Sequence, residues 1–160
     1  MDEEASIQNY DAYCAARQPM EQLPLALTVD YSAMRLPVKV ALGFGTTIAD
    51  LTAYVKRVEL LTYEELLSSC QNRQYRDIYI NGGIVSLERY LGWVTLERID
   101  FKLWTPVHVK YDTVVTLWTN YTLPEHQLDD QDTKEVLDIL RKELCLPEEE
   151  QPLWYFIKSK

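Results

Sequence analysis

Two histidines, three cysteines and one glycine-flanked turn are the residues of this chain whose types and spacing could do chemistry. His126 has Asp129, Asp130 and Asp132 close behind it, a set of oxygen and nitrogen donors for a divalent cation. A metal site also needs an element that fixes the ligands, and none is evident there, so a solvated acidic loop is expected and no metal ligand is assigned. Gly43-Phe44-Gly45-Thr46-Thr47 lies between strand-like and helix-like patterns, where backbone amides could cradle an anion. The dinucleotide fingerprint lacks its third glycine, with Ile48 in that place, and no Gly-Lys-Ser/Thr follows, so a plain strand-to-helix turn is expected. Cys14, Cys70 and Cys145 are odd in number and far apart, which predicts free, buried thiols. No carboxylates fall at a spacing that pairs an acid with a base, and Ser, Cys and His never cluster. No catalytic, cofactor-binding or metal-ligating residue is therefore assigned, and no enzymatic activity is expected.

Two other groups bear on contacts. Tyr63-Glu64-Glu65-Leu66 has the form of a short sorting motif, although a helix there would use both apolar residues as core. Phe101, Leu103 and Trp104, flanked by Arg98, Lys102 and Lys110, put large apolar groups in a basic-rimmed segment. Such a loop could enter a membrane interface or a protein groove, or could fold its aromatics inward.

At 160 residues, the length suits one core without staples. The net charge of −9 is concentrated at the ends. Residues 1–22 hold five acids and one base, residues 125–151 ten acids and three bases, and residues 23–124 ten of each. This argues against a whole-molecule nucleic-acid binder, which needs a summed basic field. The acidic start has neither a signal-peptide nor a presequence pattern, and no apolar run approaches a membrane span. A soluble protein is thus expected, in which the Asn120-Tyr121-Thr122 acceptor pattern stays unmodified.

Residues 1–22 have little apolar periodicity and read as a flexible N-terminal arm, with Tyr10 and Tyr13 available to dock it. Residues 23–160 read as a single α+β domain with a twisted antiparallel sheet against two or three helices. Leu25 to Tyr31 and Leu36 to Phe44 alternate as a hairpin, with Pro37 at an edge and a break at Gly43. Thr47 with Asp50 caps a helix whose face is Ile48, Leu51, Val55 and Val58. Thr62 with Glu65 opens a second, burying Tyr63, Leu66, Leu67 and Cys70. A short strand at Ile78–Ile80, a turn at Asn81-Gly82-Gly83 and a helix over Ile84–Leu91 follow, and Asp100 to Pro106 reads as a loop.

Val107 to Tyr121 alternates without a slip, which predicts one buried face and one polar face carrying His108, Lys110, Asp112 and Trp118. At about 3.3 Å per residue it would span about 50 Å, so a bend or bulge is expected around Asp112-Thr113, with a stop at Leu123-Pro124. Asp132 or Thr133 caps the last helix, with Val136, Leu137, Leu140 and Leu144 as its stripe and Lys134–Asp138 and Asp138–Lys142 as surface pairs. Pro147 ends it, and Leu153 to Ile157 forms a final strand.

This order of elements resembles that of rhabdovirus matrix proteins, with the small size of the plant-infecting members. The residues that carry the resemblance are Leu25-Ala26-Leu27-Thr28-Val29-Asp30, Val114-Val115-Thr116-Leu117-Trp118, the Arg141-Lys142-Glu143-Leu144 helix end and Trp154-Tyr155-Phe156-Ile157-Lys158. It implies a non-enzymatic viral matrix-like protein of virion and host cytoplasm that self-associates and links the nucleocapsid to the envelope or a glycoprotein tail. By that resemblance Tyr10, Tyr13, Pro19 and Met20 would belong to a self-association arm. Phe101, Lys102, Leu103, Trp104 and Lys110 would form a membrane or partner contact. The lysine-rich start and Pro-Pro-x-Tyr motif of animal-virus relatives are missing. The alternative is a small intracellular inhibitor or adaptor, such as a phage counter-defence protein, binding a partner through its acidic surfaces.

Overall fold

The computed structural model describes residues 3–57, 87–107, 110–123 and 128–158. They form helices α1 (Glu3–Ala15), α2 (Ile48–Arg57), α3 (87–94) and α4 (Asp130–Glu143) and strands β1 (Val40–Thr46), β2 (Lys102–Trp104), β3 (Thr113–Thr119) and β4 (Leu153–Phe156). The class is α+β, as expected, with a four-stranded antiparallel sheet in the order β2-β3-β1-β4. The chain divides into two compact units: Met1–Thr46 with Trp104–His126 and Gln151–Lys160, and Thr47–Leu103 with Gln127–Glu150. The expected helix at Thr62–Cys70, strand at Ile78–Ile80 and turn at Asn81–Gly83 lie outside the described residues, as do Cys70, His108, His126 and Pro124.

In the first unit β1 is central. It pairs antiparallel with β3 from Ala41↔Thr119 to Thr46↔Thr113, and with β4 from Val40↔Phe156 to Gly43↔Leu153. The register with β3 passes from Leu42↔Trp118 to Gly43↔Thr116, so Leu117 is an extra residue on β3, a bulge that increases the local twist. Two glycines make this pairing possible. A Cβ on Gly43 would lie 2.0 Å from the Val115 carbonyl oxygen, and one on Gly45 would lie 2.4 Å from the Tyr111 ring. The glycines therefore continue the strand rather than break it, and the expected strand-to-helix turn begins only at Thr47. The outer edge of β4 is covered. Met20 and Trp154 exchange both backbone bonds at 2.9 and 2.8 Å, and Val107 N–H donates to the Phe156 carbonyl at 2.8 Å.

Three further expectations for this unit are corrected. Residues 3–15 are helical rather than an extended arm, and Cys14 of α1 is buried. The helix ends where side chains satisfy its last carbonyls: Gln18 Nε2 donates to the Cys14 carbonyl at 2.9 Å and Arg17 Nη1 to that of Tyr13 at 3.1 Å. The hairpin is missing its first strand. Leu25–Leu27 is a 3₁₀ turn, Asp30 and Arg35 close a turn by two backbone bonds, and the regular strand starts at Val40, beyond Pro37. The long strand is shorter than its alternation suggested. It starts at Thr113, next to the expected bend, and both of its parities are buried, including Val114 and Thr116.

The second unit is built on capped amphipathic helices. Thr47 Oγ1 accepts from the Asp50 N–H at 3.1 Å and donates to its carboxylate at 2.7 Å, the expected cap, and α2 buries Leu51, Tyr54 and Val55. Tyr54 donates to Glu143 Oε2 at 2.9 Å and meets the Tyr90 ring edge-on at 6.2 Å. Burial first, and then the hydrogen bond to Glu143, push its hydroxyl pKa far above the usual tyrosine value. Helix α3 confirms the helical reading for residues 87–91 and buries Leu87 and Leu91.

The cap of α4 is Asp129, whose carboxylate accepts from the Asp132 N–H at 2.7 Å, three residues ahead of the expected Asp132. Asp130 and Asp132 favour that earlier start because carboxylates are stabilised at a helix N-terminus. Val136 and Leu140 are buried as expected, but Asp138 pairs with Arg141 at 3.0 Å rather than with either lysine. The helix stops at a Schellman turn before Pro147. Leu146 N–H donates to the Arg141 carbonyl at 2.8 Å, with Cys145 in the left-handed region at φ 54°. Cys145 is exposed, against the expected burial. Arg98 pairs with Asp132 at 3.0 Å and Glu135 at 2.9 Å, and its hydrogen bond holds the Glu135 carboxyl below the usual range.

Candidate interaction surface

Between Pro24 and Val38 the first unit carries an apolar loop turned outward. Leu25 is 75 % exposed, Tyr31 67 %, Met34 78 %, Leu36 52 % and Val38 61 %. Single exposed apolar residues are ordinary, but five large ones within one loop make it a candidate contact surface. Hydrogen bonds hold the loop in shape. Asp30 Oδ1 accepts from the Ala33 N–H at 3.1 Å, Arg35 Nε donates to the Thr28 carbonyl at 2.8 Å, and Met34 takes the left-handed conformation at the tip, φ 53°.

One residue beyond β3 pins the loop to the sheet. Asn120 is 2 % exposed, and its Nδ2 donates to the Leu27 carbonyl at 2.8 Å and to the Val38 carbonyl at 3.0 Å, while its Oδ1 accepts from the Val40 N–H at 3.0 Å. Tyr121 adds a hydrogen bond from its hydroxyl to the Pro37 carbonyl. The Asn120-Tyr121-Thr122 pattern thus has a structural use, with its amide committed inside the fold.

Beside the loop lies a cleft of about 790 Å³ whose lining includes Tyr13, Arg17, Val38, Lys39, Trp104 and Lys158. The Arg17 guanidinium carbon sits 3.6 Å from the Tyr13 ring centroid, and Lys39 Nζ sits 5.0 Å from that of Trp104. Among the described residues no carboxylate lines the cleft.

The expected site residues divide. Tyr13 and Trp104, assigned to two different contacts, line this one cleft, while Tyr10 is 48 % exposed on α1. Pro19 and Met20 are half-buried, Met20 being held to Trp154. The aromatic loop is corrected: Lys102, Leu103 and Trp104 form β2, and Phe101 is 1 % exposed, a core residue that cannot enter a bilayer while the fold holds. Lys102 pairs with Asp100 at 3.3 Å, and Lys110 lies 5.1 Å from the Tyr111 ring. The exposure of Tyr31, Leu36 and Val38 was not legible in the sequence because their alternation matches a half-buried strand, and Met34 falls between the two alternating runs. Pro37 within that run, together with a sequon residue needed by the backbone, was the available hint.

Among the described residues no group of three His, Cys, Asp or Glu side chains could hold a metal ion, and no helix is long and apolar enough to cross a membrane. No protein-family model, curated protein or solved structure matches the chain.

Proposed function

We propose that this protein is a non-enzymatic, viral matrix-like assembly protein that self-associates through the 24–38 loop, the nucleocapsid and envelope being the partners the resemblance implies. The observation that carries self-association is the pinned loop itself. A loop already ordered by Asn120 and the Asp30–Arg35 turn loses little further conformational freedom when its apolar side chains are covered. Tyr31 and Met34, rigid-ringed and adaptable respectively, are the residue types that supply interface area at low entropic cost.

Light scattering over a concentration series tests the reading. The wild-type mass should rise with concentration, and Met34→Asp, at an exposed position with no core role, should shift the association midpoint to at least tenfold higher concentration. A wild type that stays monomeric, or a Met34→Asp variant that associates equally well, overturns it. The monomeric outcome would favour the adaptor reading, to which the exposed Glu148, Glu149 and Glu150 contribute a surface for a basic partner.

A further inference from the structure

We infer that the basic cleft is the socket for the acidic turn at residues 147–152 of a second copy, so that copies join plug to socket. This rests on the self-association proposed above and specifies a second half of the contact. Arg17, Lys39 and Lys158 line the cleft with no carboxylate beside them, and none of the three forms an ion pair among the described residues. Arg98, Lys102 and Arg141, by contrast, each hold an acid of their own chain. In a molecule of net charge −9, a group of cations left without internal acids is a local exception that an external anion would neutralise.

The chain supplies a matching anion. Glu148, Glu149 and Glu150 are all exposed. Their turn is already shaped: Glu150 N–H donates to the Pro147 carbonyl at 3.1 Å, and Arg141 Nε donates to the Glu150 carbonyl at 2.7 Å. Pro147 and Pro152 restrict its backbone further, so docking orders little that is not ordered already. The carboxylates of Glu148 and Glu150 would meet the cations of the cleft. Val38 belongs both to the cleft and to the apolar loop, which makes the two contacts continuous. Socket and plug come from different parts of the sequence. One copy's socket takes the other's plug, either reciprocally within a two-fold pair or onward from copy to copy, and the mass at saturation distinguishes the two.

A charge-swap experiment on the full-length protein tests this. Variant one carries Lys39→Glu and Lys158→Glu; variant two carries Glu148→Lys, Glu149→Lys and Glu150→Lys. All five positions are exposed. Each variant alone should associate at least tenfold more weakly than wild type at 0.05 M salt. An equimolar mixture should recover the wild-type mass, because each variant's cleft then meets an opposite charge on the other. Association of the wild type should weaken as salt is raised to about 0.5 M, where charges more than a few ångströms apart are screened. Wild-type association by either variant alone, or no recovery in a mixture whose components keep the wild-type circular dichroism, overturns the inference. If Met34→Asp abolishes association while both charge variants retain it, the plug-to-socket contact fails and the loop reading stands. A monomeric wild type removes both.

Discussion

Replacing Asn120 by alanine should destabilise the first unit and loosen the 24–38 loop together. The amide side chain makes three hydrogen bonds, and their loss is unequal. Val40 is fully buried, so its N–H has no water to turn to when Oδ1 is gone, which costs about 1–3 kcal/mol. Leu27 is half-buried and Val38 exposed, so water can replace Nδ2 at their carbonyls for about 0.5 kcal/mol each. The total is about 2–4 kcal/mol, which lowers the thermal midpoint by about 5–15 °C for a chain of this length. Urea denaturation measures the first effect. Trypsin cleavage after Arg35 measures the second, because releasing the loop frees the bond that its closed turn protects. Asn120→Asp keeps an acceptor for Val40 but turns an oxygen toward two carbonyls, so it should not rescue stability. An Asn120→Ala midpoint within 0.5 kcal/mol of wild type, with unchanged cleavage at Arg35, would refute the claim that this residue pins the loop.

Gly43→Ala should cost at least about 3 kcal/mol, since the added carbon cannot coexist with the Val115 carbonyl and β1 must part from β3; folding to a wild-type melting curve would contradict the register. Tyr54→Phe should lose about 1–2 kcal/mol at pH 7 through the hydrogen bond to Glu143. Because folding raises the Tyr54 pKa, its contribution is complete below the ordinary tyrosine value of about 10 and is lost as pH rises above it. The wild type should therefore lose stability between about pH 10 and 12 more steeply than Tyr54→Phe, and parallel denaturation curves for the two would count against that environment. Cys145→Gly should gain about 0.5–1 kcal/mol by relieving a left-handed residue at the end of α4, and any loss in a chemical melt would argue against the Schellman turn.

The parts of the fold most legible in the sequence are those closed by short-range bonds. Thr47 and Asp50 announce α2 and the Val136/Leu140 spacing announces α4, whereas β4 was legible from its apolar run Leu153 to Phe156 although its pairing with β1 is long-range. Alternation was less reliable. It appeared over residues 25–44 and 107–121, yet among the described residues of these runs regular strand is confined to Val40–Thr46 and Thr113–Thr119. An alternating segment becomes a strand only where a partner edge is present, and Leu25–Val38 has Asn120 as its anchor in place of a strand. The same limit hid the exposed apolar loop, because an outward-turned apolar loop and a half-buried strand share one pattern of residue types.

The sequence by itself determined the α+β class, the capped helices and the concentration of acid at the two ends, because periodicity, capping and charge are properties of neighbouring residues. Only the tertiary structure decided that Gly43 and Gly45 admit a neighbour's backbone and a tyrosine ring, that Phe101 is core, and that Arg17, Lys39 and Lys158 share one cleft. Those outcomes depend on which surfaces approach across long stretches of chain, and that is set by the packing of the whole unit.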